Sequence, residues 1–473
     1  MAIFTKAWNN FKARPDGWFF YGFLLTFTLS IRKVFFFYPI AGGFNEYTGI
    51  YLYLSDILLI LTIIAWIISI LRNKKLKLSS CIKFFNRQEA YILVLVLVAW
   101  AFMSISWPGN TNLALFKALK LAEFSLLFFY VAHNALNKPL LRNTVGFIVA
   151  LGFIQATIGI AQAVLQHSVG LFWLKESLIS VNVDGVAKIV LFGHKFIRAY
   201  GLFPHPNILG GFLLVSIVFT FAYRMMFRAS KNVSWGGTIM YIILAVQVVA
   251  LLCTFSKSAI LGLFFIICYG GYRVVSRGTF SSFTELFRAR ISPIPTIIHD
   301  LMRVKSFYKY IGTFIIVFGL LITILGFNID SSLLKSFNER LLFLNVSRET
   351  IVSNPIVGLG MGQFVSEMQK YSSVFLADWQ YQPVHNVFLL IWSELGIIGL
   401  VLFILFLWKV FRSSIIIPRL PADEAGGIYV FKGILLGFII IMLFDHYFWD
   451  IQQGQIIFWM MLGLVVGMKN GEK

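Results

Sequence analysis

Arg198-Ala-Tyr-Gly-Leu-Phe-Pro-His-Pro-Asn-Ile-Leu-Gly-Gly211 closes a polar segment and opens directly onto an apolar run at 207–227. The stretch holds a basic residue, a histidine between two prolines, and an asparagine placed to cap a helix. Which side of what it lies on decides how fold and chemistry are read. Upstream, apolar runs fall at 17–38, 51–71, 90–107, 113–133 and 144–166; downstream, they fall at 235–254, 258–275, 311–329, 387–411, 428–446 and 453–468. Stretches of about 20 apolar residues are the length of a membrane-crossing helix.

Composition agrees. Of the 473 residues 59% are hydrophobic and only 13% charged, against roughly 25% charged in a soluble domain. The chain therefore reads as an all-α polytopic membrane protein of about twelve spans, a single integral domain over 1–473. The net charge of +20 first suggests nucleic acid. With the N-terminus placed in the cytoplasm, however, Lys and Arg favour the inner segments roughly three to one, as the positive-inside rule requires. Topology accounts for the charge, and no nucleic-acid partner is needed. Both termini then face the cytoplasm. The N-terminal Lys6, Lys12 and Arg14 precede an uncleaved first span with Arg32 and Lys33 near its far end. Cys81, Cys253 and Cys268 have no Cys-x-x-Cys spacing, so neither a disulfide framework nor a zinc site is expected.

Two outer segments are long, 167–206 and 330–386; they flank the spans of 207–329 and precede those of 387–473. Long connections inside a compact domain usually carry function. The two share an echo: Phe-Pro-His-Pro-Asn at 203–207 opens the sixth span, and Pro-Val-His-Asn at 383–386 opens the tenth. Asn207 and Asn386 suit helix N-caps, and helix N-termini attract anions. His205 and His385 stand beside them. His205, stiffened by its prolines, reads as structural or orienting rather than as a chemical base, and of the two His385 is the stronger functional candidate. Among the outer cations, Arg198 is tied to the tight Pro-His-Pro-Asn segment. Arg340 begins a helix-like run, 341–352, that stops at Asn354-Pro355. Lys257 sits in the turn between the seventh and eighth spans, where topology disfavours a cation. The Gly358-Leu-Gly-Met-Gly362 run lacks the Lys-Ser/Thr ending of a phosphate loop and reads as a chain reversal at the membrane. Glu394 lies within the tenth span, where an ionisable group is a functional candidate, and Asp445, His446 and Asp450 cluster at the outer end of the eleventh. No Asp-x-Asp or His-x-x-x-His occurs, which disfavours a metal-dependent mechanism.

Arg198–Gly211, the turn at Thr254-Phe-Ser-Lys-Ser-Ala259, the run from Arg340 through Asn354-Pro-Ile-Val-Gly-Leu-Gly-Met-Gly-Gln-Phe364, and His385-Asn386 with Glu394-Leu-Gly-Ile-Ile-Gly399 together resemble the O-antigen ligase and O-antigen polymerase superfamily. The resemblance covers about 150–400 closely. It implies a membrane glycosyltransferase of cell-envelope polysaccharide biosynthesis, without cofactor. Such an enzyme moves a glycan from an undecaprenyl diphosphate carrier to an acceptor glycan or lipid-linked glycan, with inversion and without metal, at the outer (periplasmic) face of the bacterial cytoplasmic membrane. It places His385 as base or acceptor-orienting group, Arg198 and Arg340 on the diphosphate, and Lys257 where the family usually has arginine. His205, Asn207, Asn386 and Glu394 remain as supporting residues. A flippase or transporter for lipid-linked sugars is the alternative; it should place its polar residues at mid-span, often in broken helices.

Overall fold

The computed structural model describes residues 14–40, 42–72, 89–191, 193–226, 236–276, 331–413 and 422–467. The expected span at 311–329, the basic loop at 276–310 apart from its first residue, Cys81 and both extreme termini lie outside these.

The protein is mostly helical. Among the described residues, five helices are long and apolar enough to cross a membrane: Leu54–Arg72, Glu89–Ser106, Lys138–Leu165, Pro206–Tyr223 and Val387–Arg412. Shorter apolar helices cover Thr238–Cys253, Lys257–Gly270 and Val430–Met442. In chain order the helices are α1 (Pro15–Thr26), α2 (Leu54–Arg72), α3 (Glu89–Met103), α4 (Thr111–Asn134), α5 (Lys138–Leu165), α6 (Pro206–Met226), α7 (Gly236–Cys253), α8 (Lys257–Ser276), α9 (Ser331–Ser353), α10 (Phe364–Tyr371), α11 (Val387–Ser413), α12 (Ala422–Met442), α13 (Tyr447–Asp450) and α14 (Gln452–Gly467). Every residue of α14 is buried. It packs along α4 and touches α6, α11 and α12, making it the core of the bundle. Its small polar first turn, Gln452-Gln453-Gly454-Gln455, lies at the end of the bundle where the candidate site gathers.

The structure corrects the sequence reading in two places. The first apolar run is not one helix. α1 has 12 residues, about 18 Å at the helical rise, short of the roughly 30 Å hydrocarbon layer. The chain then turns into β1 (Arg32–Phe37), paired antiparallel with β2 (Gly49–Tyr53). Arg32 and Lys33 thus lie on a hairpin strand, where Arg32 pairs with Glu46 at 2.6 Å and reaches the Tyr53 hydroxyl at 2.9 Å. A second hairpin, β3 (Lys188–Leu191) with β4 (His194–Ile197), sits in the segment before α6. The protein is mostly helical, consistent with an all-α membrane protein, with two small β-hairpins among the described residues.

The α11 helix is broken. Gly396 has φ 66° and ψ −174° inside it, a conformation closed to most side chains, and a Cβ there would lie 2.0 Å from the Ile356 carbonyl oxygen. The residues around Gly358–Gly362 fill the break. Leu359 and Gly360 donate their N–H groups to the carbonyls of Ser393 (2.9 Å) and Glu394 (2.8 Å), and Ile397 donates to Pro355 (2.9 Å). The Trp100 indole takes the Leu395 carbonyl at 2.9 Å. The glycine run is thus more than a chain reversal: it supplies hydrogen bonds that the interrupted helix cannot make for itself.

Candidate functional site

One end of the bundle brings together the starts of α6 and α11, the turn after α12, the face of α9 and the connection between α1 and α2. The Arg198–Gly211 stretch is pinned there by two glutamines of α5. Gln162 accepts from Tyr200 (3.1 Å) and Gly201 (2.8 Å), and Gln155 accepts from Leu202 (2.7 Å). The helix that follows begins at Pro206. Proline is favoured at the first helical position because its missing N–H has no partner to lose. That moves the cap back one residue. His205, not Asn207, caps α6: its carbonyl accepts from Ile208 at 3.1 Å and its ring Nδ1 accepts the Asn207 N–H at 3.2 Å. Burial, then the nearby Arg198 cation, lowers the His205 pKa to about 3, so the ring is a neutral acceptor, as the cap requires.

Relieved of capping, the Asn207 side chain becomes a bridge. Its Oδ1 accepts from the Arg198 guanidinium, and its Nδ2 donates to Asp445 Oδ2 at 2.6 Å. Arg198 also donates Nε–H to the Thr254 carbonyl at 2.7 Å, fastening the turn before α8. Its Nη1 has no hydrogen bond to a described residue. Burial lowers the Arg198 pKa to about 10, which leaves it charged at neutral pH. Gly211 makes room for the turn after α12: a Cβ there would meet the Tyr447 hydroxyl at 2.3 Å.

At the second helix start the labour is reversed. Asn386 is a true cap, its Oδ1 accepting from Leu389 at 3.0 Å, while its Nδ2 holds the Leu443 carbonyl at 3.1 Å. His385 is left over. Its Nδ1 is buried and has no hydrogen-bond partner among the described residues. A buried nitrogen in that state costs about 1–3 kcal/mol and asks for an explanation. The ring stacks on Phe343 of α9 at 5.7 Å and 3°, and meets the His446 ring edge-to-face at 5.1 Å. Burial, then His446 and Arg340, lowers its pKa to about 4. Arg340 lies mid-helix in α9, three residues before Phe343 and so on the same face; it does not open the helix. It is exposed, and its charge bears on His385, His446 and Arg198.

The turn after α12 completes the site. Asp445 is buried and accepts the His446 N–H at 2.9 Å. Burial would raise its pKa, but His446, His385 and His205 outweigh that and hold it below the usual carboxylate value. From the α1–α2 connection, Tyr47 packs on the His446 ring at 5.7 Å, and Asn45 donates to the Tyr381 carbonyl at 3.0 Å.

Arg198, Arg340, His205, Asn207, His385 and Asn386 therefore converge. Lys257 does not join them: it is exposed at the first residue of α8, and its ammonium makes no hydrogen bond or ion pair with a described residue. Glu394 lies deeper, held by the Trp449 indole at 3.0 Å, with Lys117 facing it. Asp445 and His446 were legible only as a cluster, and Tyr47, in the short connection between the first two apolar runs, carried no signal of its own. Among the described residues, no group of three or more His, Cys, Asp or Glu side chains is placed to hold a metal.

What the geometry defines is a helical protein with several membrane-length helices and, at one end, a histidine kept neutral by burial, near Arg340 and the Pro383 carbonyl, whose buried Nδ1 has no hydrogen-bond partner among the described residues. No family model matches the chain, and no curated protein matches it.

Proposed function

We propose that the protein is a polytopic glycosyltransferase of the bacterial cytoplasmic membrane, of the O-antigen polymerase or ligase type. In this reading it has about twelve spans, cytoplasmic termini and a site facing outward. It transfers a glycan from an undecaprenyl diphosphate carrier to an acceptor glycan, with inversion and without a metal. The observation that carries the reading is His385: a ring whose buried Nδ1 has no hydrogen-bond partner among the described residues, kept neutral by burial, with Arg340 near it. A hydroxyl that attacks a sugar must lose its proton, and a neutral imidazole can accept it. As the new glycosidic bond forms, the sugar–phosphate bond breaks and its electron pair leaves on the diphosphate. Arg340 and the free edge of Arg198 are the cations placed to stabilise that charge. Lys257 has the weakest case as a diphosphate ligand. Between the two acceptors, polymerase is favoured slightly, since nothing in the chain marks an outer-membrane lipid as acceptor.

The test is transfer of a lipid-linked glycan by purified protein in proteoliposomes, with and without His385→Ala. Loss of transfer with unchanged membrane insertion supports the reading, and full activity in the variant sinks it. Activity abolished by chelator and restored by a divalent cation would overturn the metal-free mechanism.

A second reading, a transporter or flippase for lipid-linked sugars, has one observation in its favour: the break in α11 beside buried Glu394, since broken spans often carry transport sites. Against it, residues 355–362 fill the break and Trp449 engages Glu394. Flipping of a fluorescent lipid-linked sugar by His385→Ala protein at the wild-type rate, with no transfer by either, would favour this reading.

A further inference from the structure

The segment Asp445-His446-Tyr447-Phe448-Trp449-Asp450 curls so that the first and last ionisable groups of α13 and its N-cap, His446 and Asp450, meet. His446 Nδ1 lies 2.9 Å from the Asp450 carboxylate, with side chains only 7% and 10% exposed. An ion pair taken this far from water stabilises little, so its retention needs another account. The His446 ring is clamped from two sides: Tyr47 of the α1–α2 connection at 5.7 Å, and His385 at 5.1 Å with the rings at 86°. Carboxylate, first ring and second ring thus stand in a row that ends at the unpartnered His385. The charged and titratable groups facing His446 are Asp450 on α13, Asp445 before it, Arg340 from α9, His385 from the segment before α11, His205 at the start of α6, and Tyr47.

We propose that the buried His446–Asp450 pair is the positioning dyad of this site: Asp450 fixes the His446 ring, and the fixed ring holds His385 in the orientation and charge state in which it takes a proton from an incoming hydroxyl. The identity of that hydroxyl rests on the glycosyl-transfer reading; the pairing does not. Burial opposes a charge on His446, but Asp450 and then Asp445 outweigh it and raise its pKa. His446 therefore holds a proton more readily than His385, which is the neutral member. Two like groups driven apart in this way are how a site separates its acid from its base. Where His446 holds its proton, protonation of His385 sets two imidazolium ions side by side, and their repulsion speeds release of the proton to water and resets the base. His446 acts through His385 and is a positioning residue.

The experiment is a histidine-ring carbon-13 NMR titration of the full chain in nanodiscs, alongside the pH dependence of glycan transfer. His385→Gln and His446→Gln identify the two signals. In the wild type His446 titrates above His385. In His446→Gln the His385 midpoint rises by about one unit or more, and the acid limb of kcat/KM moves up with it. His446→Lys, which restores a fixed cation, moves that limb back down even where kcat is reduced. In Asp450→Asn, which keeps volume and a hydrogen-bonding group, the His446 midpoint falls. A His385 midpoint unmoved in His446→Gln overturns the dyad whatever transfer does. If that variant does not survive extraction, an unmoved His446 midpoint in Asp450→Asn overturns it instead. Midpoints that shift as expected in a protein that transfers no glycan support the dyad and count against the glycosyl-transfer reading alone.

Discussion

Phe203–Asn207 and Pro383–Asn386 look alike as sequence, and the fold uses them in opposite ways. At the first, histidine caps the helix and asparagine reaches across to Arg198 and Asp445. At the second, asparagine caps and the histidine Nδ1 is left without a hydrogen-bond partner among the described residues. The difference is one proline. Pro206 occupies the first position of α6 and forces the cap onto the residue before it; with Val387 in that place, the cap falls on Asn386. A change of one position in the capping register decides which histidine is consumed by the backbone and which is free for chemistry.

The largest expected effect separates the two histidines. His385→Ala reduces glycan transfer by at least about 100-fold, the scale of a lost general base, whereas His205→Ala costs about 1 kcal/mol of stability and leaves most of the rate. Equal losses of rate in both would erase the contrast. The next concerns pH. Unfolded, both rings bind a proton near 6.5; folded, His385 resists protonation down to about 4 and His205 down to about 3. Below 6.5 the unfolded chain therefore binds protons more tightly, so stability is whole above that pH and falls as pH drops through this window. Thermal midpoints in detergent across that range should decline, and less steeply in His385→Gln and His205→Asn; parallel curves would count against both assignments.

The asparagines come third. Asn207→Ala takes away the Asp445 Oδ2 hydrogen bond, leaving only that from His446 N–H, and removes a partner of Arg198, costing about 2–3 kcal/mol. Asn386→Ala loses a cap, costing about 1 kcal/mol. Denaturation of the two variants side by side should give that order, and the reverse would mean that Asn207 does not bridge. The smallest effect is His205→Asn. Asparagine is a better cap by type, so unfolding should shift by less than about 0.5 kcal/mol; a large loss would show that the imidazole does more than accept one N–H.

Much of this was readable beforehand, and the failures have physical causes. The helix starts near 206 and 387 and the cap at Asn386 follow from local rules. The cap at Asn207 was misplaced because residue type was weighed above the position of Pro206. The hairpin was absorbed into the first span because Val34-Phe35-Phe36-Phe37 is apolar on every side, and short apolar runs do not separate strand from helix by periodicity. Arg32-Lys33 and Pro39 were the signals against a span. The filling of α11 by the glycine run, and the Asp445–Asn207 contact across 238 residues, are tertiary facts with no local signature.

The break at Gly396 also governs how the protein can be made. An interrupted span released into lipid alone would carry bare carbonyls at Ser393 and Glu394, each costing several kcal/mol there. The groups that cover them, Leu359 and Gly360, are synthesised about 35 residues earlier, a separation over which loop closure adds little further cost. In the membrane reading proposed above, the segment at 355–362 is expected to fold back against α11 as that helix leaves the insertion machinery. A ribosome-stalled chain with a linker after Ser413 long enough to clear the exit tunnel should hold α11 in the bilayer, and one in which 355–362 is replaced by a polar linker should let it slip out.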